Sequence, residues 1–151
     1  MPPTWLPVLW HKQQQEADCL AACVSMVLAF WKRPLAYDKI LRLLQTTIYG
    51  TVARHVHHLS TIGVNVIYTE GELPELYAFI DQQIPVITLV KTGELPYWPH
   101  DTMHAVVVVG YNQQFIFVND PSFEPAPLTI ATGDFDLAWL EMGNRYVVIR
   151  P

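Results

Sequence analysis

Cys19 is the residue in this chain whose type and position most directly indicate chemistry. It follows Asp18, a residue type that often begins helices, and it opens the most apolar segment of the sequence, residues 19–31. A thiol at a helix N-terminus lies at the positive end of the helix dipole, which favours the thiolate over the thiol. Taken alone, Cys19 could equally be a small buried apolar residue, and this is the expectation for Cys23, one helical turn further on.

A histidine and an aspartate are predicted to meet across a β-hairpin. His104 begins one apolar strand and Asp120 ends the next, and a turn centred on Asn112 would place them directly opposite each other. Directly paired residues have Cβ atoms about 4.5–5.5 Å apart, and a carboxylate at that distance fixes the imidazole tautomer and stabilises the imidazolium. A turn centred between Asn112 and Gln113 would shift this pairing, and a turn-forming Asp before Pro121 is the structural alternative.

Three glutamines, Gln13, Gln14 and Gln15, precede the predicted helix. A side-chain amide here could reach over the helix start, where the backbone N–H of Cys19 has no intrahelical partner. One amide N–H and one backbone N–H together make an oxyanion hole. The other interpretation is that these glutamines form a polar, solvated segment before the helix, and this is what we expect for Gln14 and Gln15.

The elements that must position these residues are predicted to be helices first and mostly strands afterwards. Because short turns join the strands, they are expected to pair antiparallel, giving an α+β fold with a helical layer on an antiparallel sheet. Residues 1–12 should be extended, and 91–103 and 120–127 should be loops. Helices are predicted for residues 18–31, 37–45, 51–61, 73–83 and 134–141, and strands for 64–68, 85–90, 104–110, 115–119 and 145–149.

Composition excludes several classes of protein. The chain has 151 residues, which suggests one domain over residues 1–151, and 51% of them are hydrophobic, which excludes disorder. The net charge of −5 and the lack of a basic stripe argue against nucleic-acid binding. The longest mostly apolar run is too short for the ~20 residues of a spanning helix, and no signal peptide is evident. The two cysteines lie one turn apart, a poor geometry for a disulfide, so a reducing, cytoplasmic compartment is expected.

These residues also form a recognisable series along the chain. Gln13 is followed after five residues by Asp18-Cys19 and an alanine-rich helix, and His104 opens the strand HAVVVVGY. Asn119-Asp120-Pro121 comes next, and the chain closes with FDLAWLEMGNRYVVIRP. The series resembles the bacteriocin-processing peptidases over nearly the whole chain. These are papain-like cysteine proteases, usually found at the N-terminus of peptide-exporting ABC transporters, that cut leader peptides after a double glycine.

The resemblance implies a papain-like fold and a role for each residue. Cys19 would be the nucleophile and His104 the general base and acid, while Asp120 would orient His104 and Gln13 would donate to the oxyanion. The implied substrate is a peptide cut after small residues, such as a double-glycine leader precursor, and an ABC transporter is the implied partner. The family often has glycine after the nucleophile, whereas this chain has Leu20, which would narrow or reshape the site.

Other functions remain open on sequence grounds. An isopeptidase or a transglutaminase-like enzyme could use the same triad for acyl transfer, and a module of the same fold could bind a peptide without cutting it. The glycines form no GxxxxGK[ST] loop, so these residues contain no ATPase motif, and both a transporter domain and a free-standing peptidase fit.

No cofactor or metal is expected. His55 and His58 share a face of the predicted helix 51–61, but His57 points away and no HExxH pattern occurs, so a polar helix face is the preferred interpretation. In the loop before His104, Tyr97 and Trp98 could either shape access to a cleft or pack as part of a proline-stiffened turn.

Overall fold

The computed structural model describes residues 5–151, so the first four residues of the predicted extended segment 1–12 lie outside the described residues. Four α-helices and six strands follow one another, with 3₁₀ segments at Glu16–Asp18, Ala53–Ile62 and Thr92–Glu94. The helices are α1 (Cys19–Phe30), α2 (Tyr37–Leu44), α3 (Leu73–Asp81) and α4 (Thr132–Leu140). The strands are β1 (Asn65–Glu70), β2 (Val86–Lys91), β3 (Met103–Tyr111), β4 (Phe115–Asn119), β5 (Leu128–Ala131) and β6 (Arg145–Arg150).

The six strands form one sheet in the order β1-β6-β2-β3-β4-β5, and every neighbouring pair is antiparallel. The α+β prediction is therefore confirmed. Strand β5 is an addition, because residues 128–131 were not predicted as a strand. It has four residues, follows a proline-rich loop and pairs only with β4. Because the segment is so short, its alternation of apolar and polar residues is too brief to indicate a strand.

Helix α1 carries the thiol and is the most buried helix. Eight of its twelve residues are buried, as its apolar composition predicts, and it packs on β3 and α2. Its C-terminal end is fixed by Trp31, whose indole Nε1 donates to the carbonyl oxygen of Ile149 on β6 at 2.7 Å. Burial of each large apolar side chain contributes roughly 1.5–3 kcal/mol, so the position of Cys19 is set by the core and not by its own contacts.

The predicted helix at residues 51–61 is helical but of the 3₁₀ type, over Ala53–Ile62, and it ends at Gly63 in the left-handed conformation. In a 3₁₀ helix, residues i and i+3 lie on the same side. This pitch stacks the rings of His55 and His58, with centroids 5.0 Å apart. Their Nδ1 atoms lie within hydrogen-bonding distance of the carbonyl oxygens of Leu44 and Leu43. Both histidines therefore provide hydrogen-bond partners for carbonyl groups that the end of α2 leaves unpaired.

The β3–β4 hairpin does not have the predicted register. Val107 pairs with Asn119, and an irregularity beyond Val108 shifts the later pairs. The turn is centred between Gln113 and Gln114 instead of on Asn112, and the side-chain oxygen of Asn112 accepts the backbone N–H groups of Gln114 and Phe115 at 2.8 Å each. The prediction that His104 lies directly opposite Asp120 is therefore wrong.

No helix among residues 5–151 combines the length and apolar character needed to cross a membrane.

Candidate active site

Cys19 begins α1 at one side of a cleft of about 510 Å³ between the helical part and the sheet. Its thiol is free and half-buried, and the cleft is also lined by Leu20, Met103 and His104. Cys23 is fully buried, and burial raises the pKa of its thiol well above the ordinary value. Of the two cysteines, only Cys19 lines the cleft.

Asp18 occupies the N-cap position of α1, as predicted, but its carboxylate does not bond to the helix. Instead, its Oδ2 accepts the backbone N–H of Gln15 at 3.2 Å and the hydroxyl of Tyr37 at 3.1 Å. Asp18 therefore connects the segment that precedes α1 to α2, and this fixes the path of the chain into Cys19.

His104 lies near the start of β3 and is 5% exposed. Its Nε2 is 2.7 Å from Oδ1 of Asp120, which leaves Nδ1 for the thiol of Cys19. Burial alone would lower the pKa of His104. The hydrogen bond with Asp120 and the nearby thiol of Cys19, together with the negative charges of both groups, outweigh burial and raise the pKa to about 9. The structure thus brings the predicted histidine together with both the cysteine and the aspartate.

The carboxylate of Asp120 is fully buried and accepts four hydrogen bonds. Besides His104, the backbone N–H of Ser122 bonds to Oδ1 at 2.9 Å. Oδ2 accepts the Tyr97 hydroxyl at 2.8 Å and the Trp98 indole N–H at 3.0 Å. Burial would raise the pKa of Asp120, but the hydrogen bond and charge of His104, with the other donors, hold it below the usual value.

Tyr97 and Trp98 are the site residues whose role the sequence did not reveal. The sequence left two interpretations, that these residues shape access to the cleft or that they pack in a proline-stiffened turn. In the structure, their polar groups instead donate hydrogen bonds to Asp120. Buried Tyr and Trp side chains generally need a partner for their O–H or N–H. The presence of two such residues in the loop before the strand of His104 was the one sequence feature that could have indicated a buried hydrogen-bond acceptor near them.

Gln13 is anchored next to the same loop. Its backbone N–H donates to the carbonyl oxygen of Pro121 at 3.0 Å, and its Oε1 accepts the Ser122 hydroxyl at 2.7 Å. Its Nε2 donates to the carbonyl oxygens of Gln15 and Glu16 at 2.8 and 2.9 Å. In this conformation the amide nitrogen bonds to the backbone of the lead-in turn, so donation to an oxyanion requires one of these two bonds to be exchanged.

The comparisons with known proteins agree with this geometry. Residues 8–143 match the profile of the Peptidase C39 family. This chain belongs to the Peptidase C39 family. It is therefore a cysteine peptidase, and the predicted family and enzyme class are confirmed. A search of curated proteins found no relative by sequence.

Solved structures share the fold of this C39 peptidase at low sequence identity. The peptidase domain of Streptococcus ComA, a bifunctional ABC transporter involved in a quorum-sensing pathway, has a TM-score of 0.78 and 18% identity. The match covers 95% of this chain and 98% of that domain. A double-glycine motif protease from an AMS/PCAT transporter, solved with its leader peptide, has a TM-score of 0.73 and 20% identity, covering 98% and 93%.

A third structure, described as a C39-like peptidase from Bacillus anthracis, has a TM-score of 0.78 and 14% identity. It covers 99% of this chain and 98% of that one. These matches confirm the papain-like α+β fold.

Proposed function

We propose that this C39 peptidase hydrolyses peptide bonds with Cys19 as nucleophile, His104 as general base and acid, and Asp120 as the residue that orients His104. The proposal depends chiefly on His104, whose Nε2 lies 2.7 Å from the Asp120 carboxylate and which lines the same cleft as Cys19. A histidine held on one side by a buried carboxylate presents its other ring nitrogen in a fixed tautomer, and this is what a nucleophile–base pair requires.

The reaction proceeds in two stages. The thiolate of Cys19 attacks the scissile carbonyl carbon. The oxyanion that forms is stabilised by the backbone N–H of Cys19 and by the side-chain amide of Gln13, which exchanges one of its two backbone hydrogen bonds for it. The imidazolium of His104 then protonates the leaving amine, and a thioester remains on Cys19. Water, deprotonated by His104, hydrolyses the thioester and regenerates the thiolate.

The proposed substrate is a precursor peptide cut after a double glycine. Support comes from the similarity to the AMS/PCAT transporter protease that was solved with its leader peptide. It also comes from the lining of the cleft, which includes Leu20 and Met103, the sequence neighbours of Cys19 and His104. Large apolar side chains beside a nucleophile favour small substrate residues by steric exclusion.

The rim of the cleft is suited to an extended peptide. Ile48 and Tyr49, in the loop after α2, line the cleft and are 78% and 93% exposed. Exposed apolar side chains in a group often mark a site where another chain binds. We expect them to contact apolar side chains of the substrate beside the scissile bond.

A matched pair of peptides tests the substrate proposal. A leader peptide ending in Gly-Gly should be cleaved after the second glycine, and a variant with leucine at both positions should have a kcat/KM at least about 10²-fold lower. Cleavage products would be identified by mass spectrometry. Equal rates for the two peptides would contradict double-glycine selectivity, and a crosslinked or deconjugated product would instead indicate acyl transfer.

The oxyanion role of Gln13 has its own test. Gln13→Ala should lower kcat by about 10²–10³-fold with a small change in KM, which is the usual effect of losing one oxyanion donor. The matched control is Gln14→Ala, because Gln14 is exposed and lies one residue further along the same segment. If both variants lost the same activity, a general effect on the lead-in segment would replace the oxyanion role.

We further propose that the peptidase acts in the cytoplasm together with a peptide-exporting ABC transporter. The support is the similarity to the ComA and AMS/PCAT transporter peptidase domains, and the presence of a free thiol at the cleft. A reducing compartment keeps such a thiol available for catalysis.

A further inference from the structure

The Asp120 carboxylate has a complete and asymmetric set of partners. Oδ1 accepts from His104 and from the backbone of Ser122, whereas Oδ2 accepts from the Tyr97 hydroxyl at 2.8 Å and the Trp98 indole at 3.0 Å. Four donors match the roughly four acceptor positions of a carboxylate. Two of the four come from a single loop between β2 and β3 and have no other polar partner among the described residues.

The two donors on Oδ2 restrict the rotation of the carboxylate. The χ2 torsion of aspartate has broad minima, so a carboxylate held on one side only can turn about its Cβ–Cγ bond. Donors from Tyr97 and Trp98 hold Oδ2 in place, and Oδ1 must then face His104. The direction of the imidazole Nε2–H, and with it the direction of Nδ1 toward Cys19, depends on this arrangement.

The same aromatic rings cover the His104–Asp120 contact. The Trp98 ring lies with its centroid 4.7 Å from that of His104 at an angle of 64°, and Phe123 packs against Tyr97 and Trp98 at 5.3 and 5.0 Å. A low local dielectric strengthens hydrogen bonds to a charged group. The rings therefore strengthen the contact that the hydrogen bonds orient.

The loop that carries these two residues is anchored by its own hydrogen bonds. Thr92 donates through Oγ1 to the carbonyl of His100 and accepts the backbone N–H of Thr102, both at 2.8 Å. The carboxylate of Asp101 accepts the backbone N–H of Gly93 at 2.9 Å. The buried side chain of Leu95 fixes the middle of the loop. Tyr97 and Trp98 are thus held in place before any substrate binds.

We propose that Tyr97 and Trp98 are positioning residues for peptide hydrolysis, which act through Asp120 by fixing its carboxylate so that His104 faces Cys19. This proposal rests on the proposed function of Cys19, His104 and Asp120. It replaces the idea that the two aromatic residues control access to the cleft, because their polar groups are directed at a buried carboxylate.

Tyr97→Phe removes a single hydroxyl and keeps the ring. Loss of a hydrogen bond to a charged group should lower kcat for the Gly-Gly leader peptide about 10-fold, with KM changed less than 2-fold. The rate at which iodoacetamide alkylates Cys19 should fall similarly, a readout that needs no substrate. The downfield proton NMR signal of the His104 Nε2–H should shift. Trp98→Phe should act in the same direction, and the double variant should lose more than either.

The matched control is Tyr111→Phe, because the Tyr111 hydroxyl also donates to an aspartate, Asp81, at 2.8 Å, but at an exposed position. It should leave kcat, the alkylation rate and the His104 signal unchanged. The proposal is overturned if Tyr97→Phe and Trp98→Phe keep all three values of the wild type. A raised KM with an unchanged kcat also overturns it and restores a role in access.

Failure of the underlying function gives a different pattern. If neither Cys19→Ala nor Asp120→Asn changed cleavage or alkylation, the triad itself would be wrong. If those variants were impaired and the aromatic variants were not, only the positioning role would fail. A variant that is unfolded by circular dichroism is replaced by the other single variant, which tests the same oxygen of Asp120.

Discussion

The Cys19→Ala variant is expected to lose peptide hydrolysis by about 10⁶-fold while its free energy of unfolding stays within about 1 kcal/mol of the wild type. The large kinetic effect follows because the thiolate forms the covalent intermediate, and no other thiol lines the cleft. The small effect on stability follows because Cys19 is only half-buried and alanine favours helices. Single-turnover cleavage and chemical denaturation measure the two quantities.

The same variant should change the titration of His104. Cys19 is one of the groups that raise the pKa of His104 to about 9, so its removal should lower the pKa of the imidazole, as followed by NMR. Iodoacetamide should label the wild type once and the Cys19→Ala variant not at all. Cys23→Ala is the matched control, because Cys23 is fully buried and its loss should leave labelling at Cys19 intact. Label on Cys23 in the folded protein would contradict the assignment of the nucleophile.

The helix that presents this nucleophile could be predicted from local sequence, whereas strand β5 could not. Residues 19–31 are apolar on nearly every side, so a buried helix was the only economical interpretation, and α1 has that character. Residues 128–131 offer one buried side chain, Ile130, and become a strand only because β4 provides hydrogen-bond partners. Local periodicity therefore reveals a buried helix, but it does not reveal a strand that forms only through pairing with a distant segment.

The contact between His104 and Asp120 was predicted from a register that proved wrong. The observed pair Val107–Asn119 differs from the predicted register by two residues. Since side chains alternate across a strand, a shift of two residues keeps His104 on the expected face of the sheet. Asp120 then becomes its diagonal neighbour, which the imidazole can still reach. A shift of one residue would have directed the imidazole to the other face of the sheet.

The partners of the loop residues could not be derived from pattern at all. Tyr97 and Trp98 reach Asp120 across 23 and 22 residues, and Ser122 reaches Gln13 across 109. None of these contacts lies within one helix or hairpin, so no repeat of apolar residues encodes them. They depend on how the finished sheet places the loop before β3 beside the loop after β4.

Asp120→Asn is the second variant with a large expected effect, because its side chain cannot satisfy the existing partners in either orientation. If the amide oxygen faces His104 and Ser122, the amide NH₂ meets the indole N–H of Trp98, which cannot accept a hydrogen bond. If the oxygen faces Tyr97 and Trp98, the NH₂ meets the backbone N–H of Ser122 and the Nε2 of His104. Each orientation places a donor against a donor.

The second orientation also changes the tautomer of His104. To accept from the amide, Nε2 must lose its proton, and the neutral ring then carries its proton on Nδ1, where it can no longer accept one from Cys19. The wrong tautomer lowers kcat about 10⁴-fold in a serine-protease triad, so we expect kcat/KM to fall about 10³–10⁴-fold here. The pKa of His104 should fall as well, because the carboxylate that raises it has been removed.

Asp81→Asn is the control for this substitution, because Asp81 also accepts a tyrosine hydroxyl but at an exposed site outside the cleft. It should keep full activity and lose no more than about 0.5 kcal/mol of unfolding free energy. An Asp120→Asn enzyme within 10-fold of the wild type would mean that the carboxylate charge is dispensable. His104 would then be held by its buried position on β3 and by contact with the ring of Trp98, and the hydrogen bond to Asp120 would be structural.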